Sequence, residues 1–223
     1  MSSPDTLEVN FTLVRGATTL NFEFACRPGI SVISGASGSG KTSLFDCVSG
    51  LLSPTSGTIK FGEKIFYDFE KHVDMSPQDR RVGYVLQRPS LFPHMTVRQN
   101  IEYAFRKGTG NAIMVQRVDE LSKELGINNL LDRKPDQISG GQAQRVSLVR
   151  AIAAEPLLFL FDEPLSSLDE QSRAEMVAAI KKVKTVTAKT ILYVTHSFLE
   201  AEELADYRIV GSNREFRAVE PNN

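Results

Sequence analysis

The sequence contains no tryptophan, two cysteines and three histidines among its 223 residues. Two thiols, Cys26 and Cys47, are too few for a disulfide framework, so both are expected as small core residues rather than metal ligands. Charge of one sign is lacking as well, since 26 Lys and Arg stand against 27 Asp and Glu. The resulting formal charge of -1 gives no basic field for nucleic acid, and no nucleic-acid partner is expected. Long apolar runs are missing too. The longest, Leu157 to Phe161, is strand-sized and far below the roughly 18 to 20 residues of a membrane-spanning helix. The stretch Met1 to Asn10 is acidic and polar where a secretory leader would be basic and then apolar, so a cytoplasmic location is expected. What is present is a globular balance of 41% hydrophobic and 24% charged residues, enough to pack the core of one substantial domain.

Apolar periodicity divides the chain. Leu7, Val9, Phe11 and Leu13 alternate with polar neighbours, as do Leu20, Phe22 and Phe24, predicting two half-buried antiparallel strands around a turn at Gly16. The run Ile30 to Ile33 predicts a buried strand, followed by a Gly/Ser-rich loop and a helix carrying Leu44, Phe45 and Val48. Thr58 to Tyr67 returns to β patterning, and Val82 to Leu86 predicts another buried strand ending at Gln87. From Val97 to Leu125 the apolar positions fall at helical spacing, with Met114, Val118, Leu121 and Leu125 on one face and a break at Gly108 to Asn111. Leu157 to Phe161 and Ile191 to Val194 predict buried parallel strands, separated by a helix facing inward with Met176, Ile180 and Val183. The expected organisation is a single α/β domain. Residues 1–87 and 151–223 form a parallel-sheet core with an antiparallel β part, residues 88–150 form an inserted helical subdomain, and a frayed tail is expected at Glu220 to Asn223.

Three constellations carry chemistry. Gly35-Ala36-Ser37-Gly38-Ser39-Gly40-Lys41-Thr42 fits G-x-x-x-x-G-K-[ST] between a strand and a helix, where backbone N–H groups and a helix dipole converge on phosphate oxygens. In that pattern Lys41 meets the β and γ phosphates and the Thr42 hydroxyl ligates Mg²⁺, with Ser43 next in the loop. Leu157 to Glu163 is an apolar strand tipped by two acids. Asp162 is placed to hold the Mg²⁺ shell, and Glu163 to orient and deprotonate a water attacking the γ-phosphate. Ser139-Gly140-Gly141-Gln142 opens an apolar-patterned helix with Val146, Val149 and Ile152. It reads either as a second anion-binding helix start or as a plain glycine-rich start capped by Ser139.

With these motifs the sequence resembles the ATPase subunits of ABC transporters over nearly its whole length. Gly35 to Thr42 is similar to the Walker A loop, Gln87 to the Q-loop glutamine, and Ile138 to Gln142 to the LSGGQ segment with Ile for Leu. Leu158 to Asp162 resembles Walker B with Glu163 as its catalytic glutamate, Ser167-Leu168-Asp169 the D-loop, and His196 the switch histidine. The resemblance implies a P-loop NTPase fold with a RecA-like core, an N-terminal antiparallel β subdomain and a helical insertion. It also implies that His196 contacts the γ-phosphate and Glu163, that Gln87 senses Mg²⁺, and that Ser139 to Gln142 and Asp169 reach the ATP held by a second ATPase subunit. Membrane permease subunits, and indirectly an external binding protein, are the further partners it implies, with the chain peripheral on the cytoplasmic face of the membrane.

Within the family, Pro77 to Gln87 followed by Leu91 to Arg98 resembles importers of inorganic anions, the molybdate importer ATPases among them. The sequence ends soon after His196, so the regulatory β-domain of many such importers is expected to be lacking. Val14-Arg15-Gly16 stands where the family's adenine-stacking aromatic belongs, which leaves Arg15 or Phe11 as candidates for that role. ATPases importing sulfate, iron, thiamine or polyamines would read nearly the same. A soluble ABC-type ATPase is a further alternative. The stretch between Gln87 and Arg150 is too short for the coiled coil of repair enzymes, and translation factors of this type carry two such modules in one chain.

Overall fold

The computed structural model describes residues 5–36, 38–105, 111–212 and 215–219. Ser37, the break at Gly108 and the tail from Glu220 lie outside the described residues. In chain order the elements are β1 (Leu7–Arg15), β2 (Thr18–Cys26), β3 (Gly29–Ser34), α1 (Lys41–Ser49), β4 (Ser56–Phe61), β5 (Lys64–Asp68), β6 (Val73–Asp74), α2 (Pro77–Arg80) and β7 (Val82–Val85). They continue with α3 (Val97–Glu102), α4 (Asn111–Glu124), α5 (Gly140–Ala153), β8 (Leu158–Asp162), α6 (Glu170–Thr187), β9 (Thr190–Val194), α7 (Phe198–Leu204), β10 (Tyr207–Ser212) and β11 (Glu215–Val219). They form two compact units, one of Met1–Val82, Leu157–Glu163 and Thr187–Asn223, the other of Gly83–Pro156 and Pro164–Val186.

The sheet of the first unit runs in the order β6-β5-β4-β1-β2-β11-β10-β3-β9-β8. β1 and β2 pair antiparallel as their alternation predicts, with Phe11 opposite Phe22 and Leu13 opposite Leu20. β10, β3, β9 and β8 are mutually parallel. Their near-continuous burial explains why β3, β8 and β9 read as apolar runs rather than alternations. The C-terminal hairpin β10–β11 was not among the expected elements. It ties the parallel and antiparallel halves into one sheet, β10 beside β3 and β11 beside β2, with Phe216 stacked 4.9 Å from Phe22. The alternation of Tyr207 and Ile209, followed by Gly211, is the faint sequence signal of such a strand.

Register places the site. Ile33, Val194 and Asp162 are cross-strand neighbours at the C-terminal ends of β3, β9 and β8. The loops leaving these three strands therefore emerge at one edge of the sheet, the position where parallel α/β sheets bind ligands. α1 is anchored at both ends. At its start Gly40 packs so closely on Leu20 that a Cβ there would lie 2.7 Å from Leu20 Cδ1. At its end the fully buried Arg80 guanidinium donates to the carbonyls of Cys47 (2.6 Å) and Val48 (3.2 Å) and pairs with Asp74 (2.8 Å). Both cysteines are buried, and burial pushes their thiols up to about 12, which removes them as nucleophiles.

In the second unit α4 buries Val118 and Leu121, with Leu125 just beyond it, as the helical spacing predicts. α5 and α6 are joined by an ion pair, Arg145 to Glu175 at 2.8 Å, and Lys182 donates to the Glu124 carbonyl.

Candidate nucleotide site

In the first unit the loop from Gly35 to Gly40 leaves β3 and opens α1. Gly40 is the helix N-cap with φ 108°, a left-handed conformation that favours glycine, and its carbonyl accepts the first helical bond from Leu44. The Lys41 side chain is buried and curls back over the loop, its Nζ donating to the carbonyls of Gly35 (2.8 Å) and Ala36 (2.9 Å). Thr42 is exposed on the first turn of α1 and Ser43 half-buried beside it. The Ser39 hydroxyl is buried without a protein partner, and nothing lies within 4 Å of where a Gly38 Cβ would stand, at φ 75°. An unsatisfied buried hydroxyl beside an open, glycine-lined turn at a helix start fits a phosphate chain.

Asp162 ends β8, and Glu163 comes next with φ 45°, an uncommon conformation for a residue with a side chain. Its N–H donates to the Val194 carbonyl at 3.0 Å, which holds this turn against β9. The Glu163 Oε2 atom lies 3.1 Å from His196 Nδ1, so the structure brings together two residues separated by 33 positions. The histidine side chain is 64% exposed and the glutamate 22%. Among the described residues no group of three or more His, Cys, Asp or Glu is placed to hold a metal ion. The hard oxygens of Thr42 and Asp162 suit Mg²⁺, which takes only one or two protein oxygens and completes its shell with phosphate and water.

The second unit holds the other expected residues. Ser139 caps α5 reciprocally, its Oγ accepting from Gln142 N–H (3.2 Å) while Gln142 Oε1 accepts from Ser139 N–H (3.0 Å). Of the two glycines, Gly140 is exposed with open space at its Cβ position, whereas Gly141 is buried against α6. A Cβ on Gly141 would lie 2.5 Å from Ser172 Oγ and 2.6 Å from Ser172 Cβ. Ser172 is in turn held by Asp169, whose carboxylate accepts its N–H (2.9 Å) and its hydroxyl (2.8 Å). Those two donors, the backbone one first, hold the Asp169 carboxyl below the usual carboxylate range. Gln87 donates from Nε2 to Ser166 Oγ at 3.1 Å. Sequence reasoning missed Ser172 and Ser166 and read Leu20 only as a strand residue, because each matters through a tertiary contact that no local pattern encodes. It also offered Phe11 for stacking on a base. Phe11 is 2% exposed and packs 4.7 Å from Phe22, so it belongs to the core, while Arg15 is exposed.

The Gly141 contact makes a direct prediction. Gly141→Ala is expected to displace the first turn of α5 and to lower the thermal unfolding midpoint by several degrees, since overpacking costs about 1–3 kcal/mol. Adding Ser172→Gly, which removes the clashing atoms, is expected to restore most of that midpoint in a thermal denaturation scan.

A phosphate loop, an acid-tipped strand and a histidine gathered at one sheet edge define a P-loop NTPase fold. The family model for ABC transporters matches residues 19–166, and the chain belongs to that family. It is 39% identical over 200 residues to the molybdenum import ATP-binding protein ModC of Paramagnetospirillum magneticum, covering 90% of this chain and 55% of that protein. With the protein of the same name from Escherichia coli K12 it shares 42% over 214 residues, 95% of this chain and 59% of the relative. The chain thus spans little more than half the length of these relatives. Among solved structures, cbiO1 from Clostridium perfringens, part of the ABC transporter complex cbiONQ, matches with a TM-score of 0.79 at 24% identity, over 96% of this chain and 86% of that one, a likeness of fold. An ATP-binding cassette solved as a dimer in a post-hydrolysis state with ADP and Pi matches with a TM-score of 0.78 at 26% identity, over 98% and 99% of the two chains. No helix among the described residues is long and apolar enough to cross a membrane.

Proposed function

We propose that the chain is the ATP-hydrolysing subunit of an ABC importer for molybdate or a related inorganic anion. On this reading it acts as a homodimer at the cytoplasmic face of the membrane, bound to permease subunits that an external binding protein supplies. The observation that carries the hydrolytic part is the Glu163–His196 contact beside the phosphate loop. The names of the relatives support the substrate.

In this scheme the N–H groups of Gly35, Ala36, Ser37, Gly38, Ser39 and Gly40, with Lys41, Thr42 and Ser43, hold the triphosphate of ATP. Thr42 and Asp162 would hold Mg²⁺, which would supply positive charge against the β and γ phosphates. Glu163 accepts the proton of the attacking water as its oxygen bonds to the γ-phosphorus and the bond to the β,γ-bridging oxygen breaks, which releases ADP and phosphate. His196 orients Glu163 and contacts the γ-phosphate. Ser139, Gly140, Gly141, Gln142 and Asp169 of a second copy complete each site, so ATP favours the closed pair by binding it differentially and hydrolysis reopens it.

The test is reconstitution with the membrane subunits in liposomes. Molybdate-loaded binding protein is expected to stimulate ATP hydrolysis several-fold, and binding proteins loaded with thiamine or polyamine are not. A rate indifferent to every membrane partner would overturn the reading.

A further inference from the structure

We propose that Glu200 is a positioning residue for His196, acting through a buried hydroxyl relay that fixes the turn on which the histidine stands. The proposal rests on the reading of His196 as the partner of Glu163 in hydrolysis.

Glu200 lies in the first turn of α7, four residues after the histidine, and is only 6% exposed. Its Oε2 accepts two hydroxyl donors from β9 and the residue after it, Tyr193 Oη at 3.0 Å and Thr195 Oγ1 at 2.7 Å. These two residues share a face because side chains two apart in extended chain point the same way. Thr195 Oγ1 in turn accepts the Ser197 N–H at 3.0 Å, and the Ser197 hydroxyl accepts the Glu200 N–H at 3.4 Å. The result is a closed circuit through Glu200, Thr195 and Ser197, the residues on either side of His196 being two of its three members.

Ser197-Phe198-Leu199-Glu200 has the lettering of a capping box, in which the glutamate would accept the N–H of the capping serine. Here that N–H goes to Thr195 Oγ1, and the Glu200 carboxylate holds Thr195. The cap has been extended by one hydroxyl so that it includes the residue before the histidine. Helix capping alone does not require this, and burying a carboxylate is unfavourable unless its hydrogen bonds compensate. An apolar side chain would fill the space without that penalty. The imidazole itself is largely exposed, so the direction of its backbone is what aims it at Glu163. A rigid support on both flanks provides that direction.

The experiment compares full-length Glu200→Leu, Glu200→Gln and Thr195→Val with wild type. Each is measured for kcat and KM for ATP and for the ring ¹H–¹⁵N signals of its histidines, of which the chain has three. Glu200→Leu is expected to lower kcat about tenfold with KM for ATP changed by less than about twofold, the pattern of a lost transition-state interaction. It is also expected to shift the ring signals of His196 while those of His72 and His94 stay in place. Glu200→Gln, whose carbonyl still accepts the Thr195 hydroxyl, is expected to recover most of the rate. Thr195→Val breaks the relay without emptying the Glu200 site and serves if the leucine variant does not fold. A folded variant with the relay broken but unshifted His196 signals and unchanged kcat would overturn the proposal. If the wild-type chain hydrolyses no ATP even with membrane partners, the functional reading fails, and the ring signals still decide whether Glu200 positions His196.

Discussion

Glu163→Gln is expected to bind ATP as wild type does, to lose turnover by on the order of 10²- to 10⁴-fold, and to accumulate as an ATP-bound dimer. The amide matches the carboxylate in shape and can still meet His196 Nδ1, now 3.1 Å away, so the turn at the end of β8 should keep its form. The left-handed backbone at this position is equally unfavourable for either side chain. What the amide loses is the capacity to take a proton from water. With binding intact and product formation blocked, the state that ATP stabilises persists. Sedimentation with ATP and Mg²⁺ reads it directly, and a monomer beside a normal hydrolysis rate would refute both the role of Glu163 and the pairing.

Ser139→Arg is expected to abolish hydrolysis while leaving the nucleotide affinity of the single chain nearly intact. Ser139 is exposed, so an arginine meets no steric barrier within its own chain, and the lost cap costs about 1 kcal/mol of helix stability. A bulky cation at that place obstructs a γ-phosphate presented by another copy. Lys41→Ala damages the opposite half, because it removes the ammonium that lies over the phosphate loop. Mixing the two inactive variants is therefore the decisive measurement. A mixed pair contains one site with an intact phosphate loop from one chain and an intact Ser139 segment from the other, so partial activity is expected to return. If each site were complete within one chain, the mixture would be as inactive as its components.

The parts of this molecule that could be read from letters are those whose chemistry is local. The loop Gly35 to Thr42 needs glycines where the backbone turns left-handed and a lysine one residue into the helix, and Gly38 and Gly40 do take positive φ. The buried strands β3, β8 and β9 were legible because both faces are covered and most positions are apolar. The hairpin β10–β11 was not, since its strands mix buried Ile209 and Phe216 with polar residues and are held by pairing with β3 and β2, far away in sequence. Phe11 shows the opposite failure. Its alternation marked a strand with one buried face, but only the stacked Phe22 and Phe216 beyond it show that this ring is enclosed rather than available to a ligand.

By itself, then, the sequence determined the class of chemistry, because phosphate binding at a helix start and an acid at a strand tip depend on residues that are neighbours along the chain. Tertiary structure alone decided which side chains are brought into contact around those motifs. The Glu163–His196 contact and the seat of Gly141 on Ser172 are set by strand register and helix packing. Such relations join residues whose separation along the chain leaves no periodic trace.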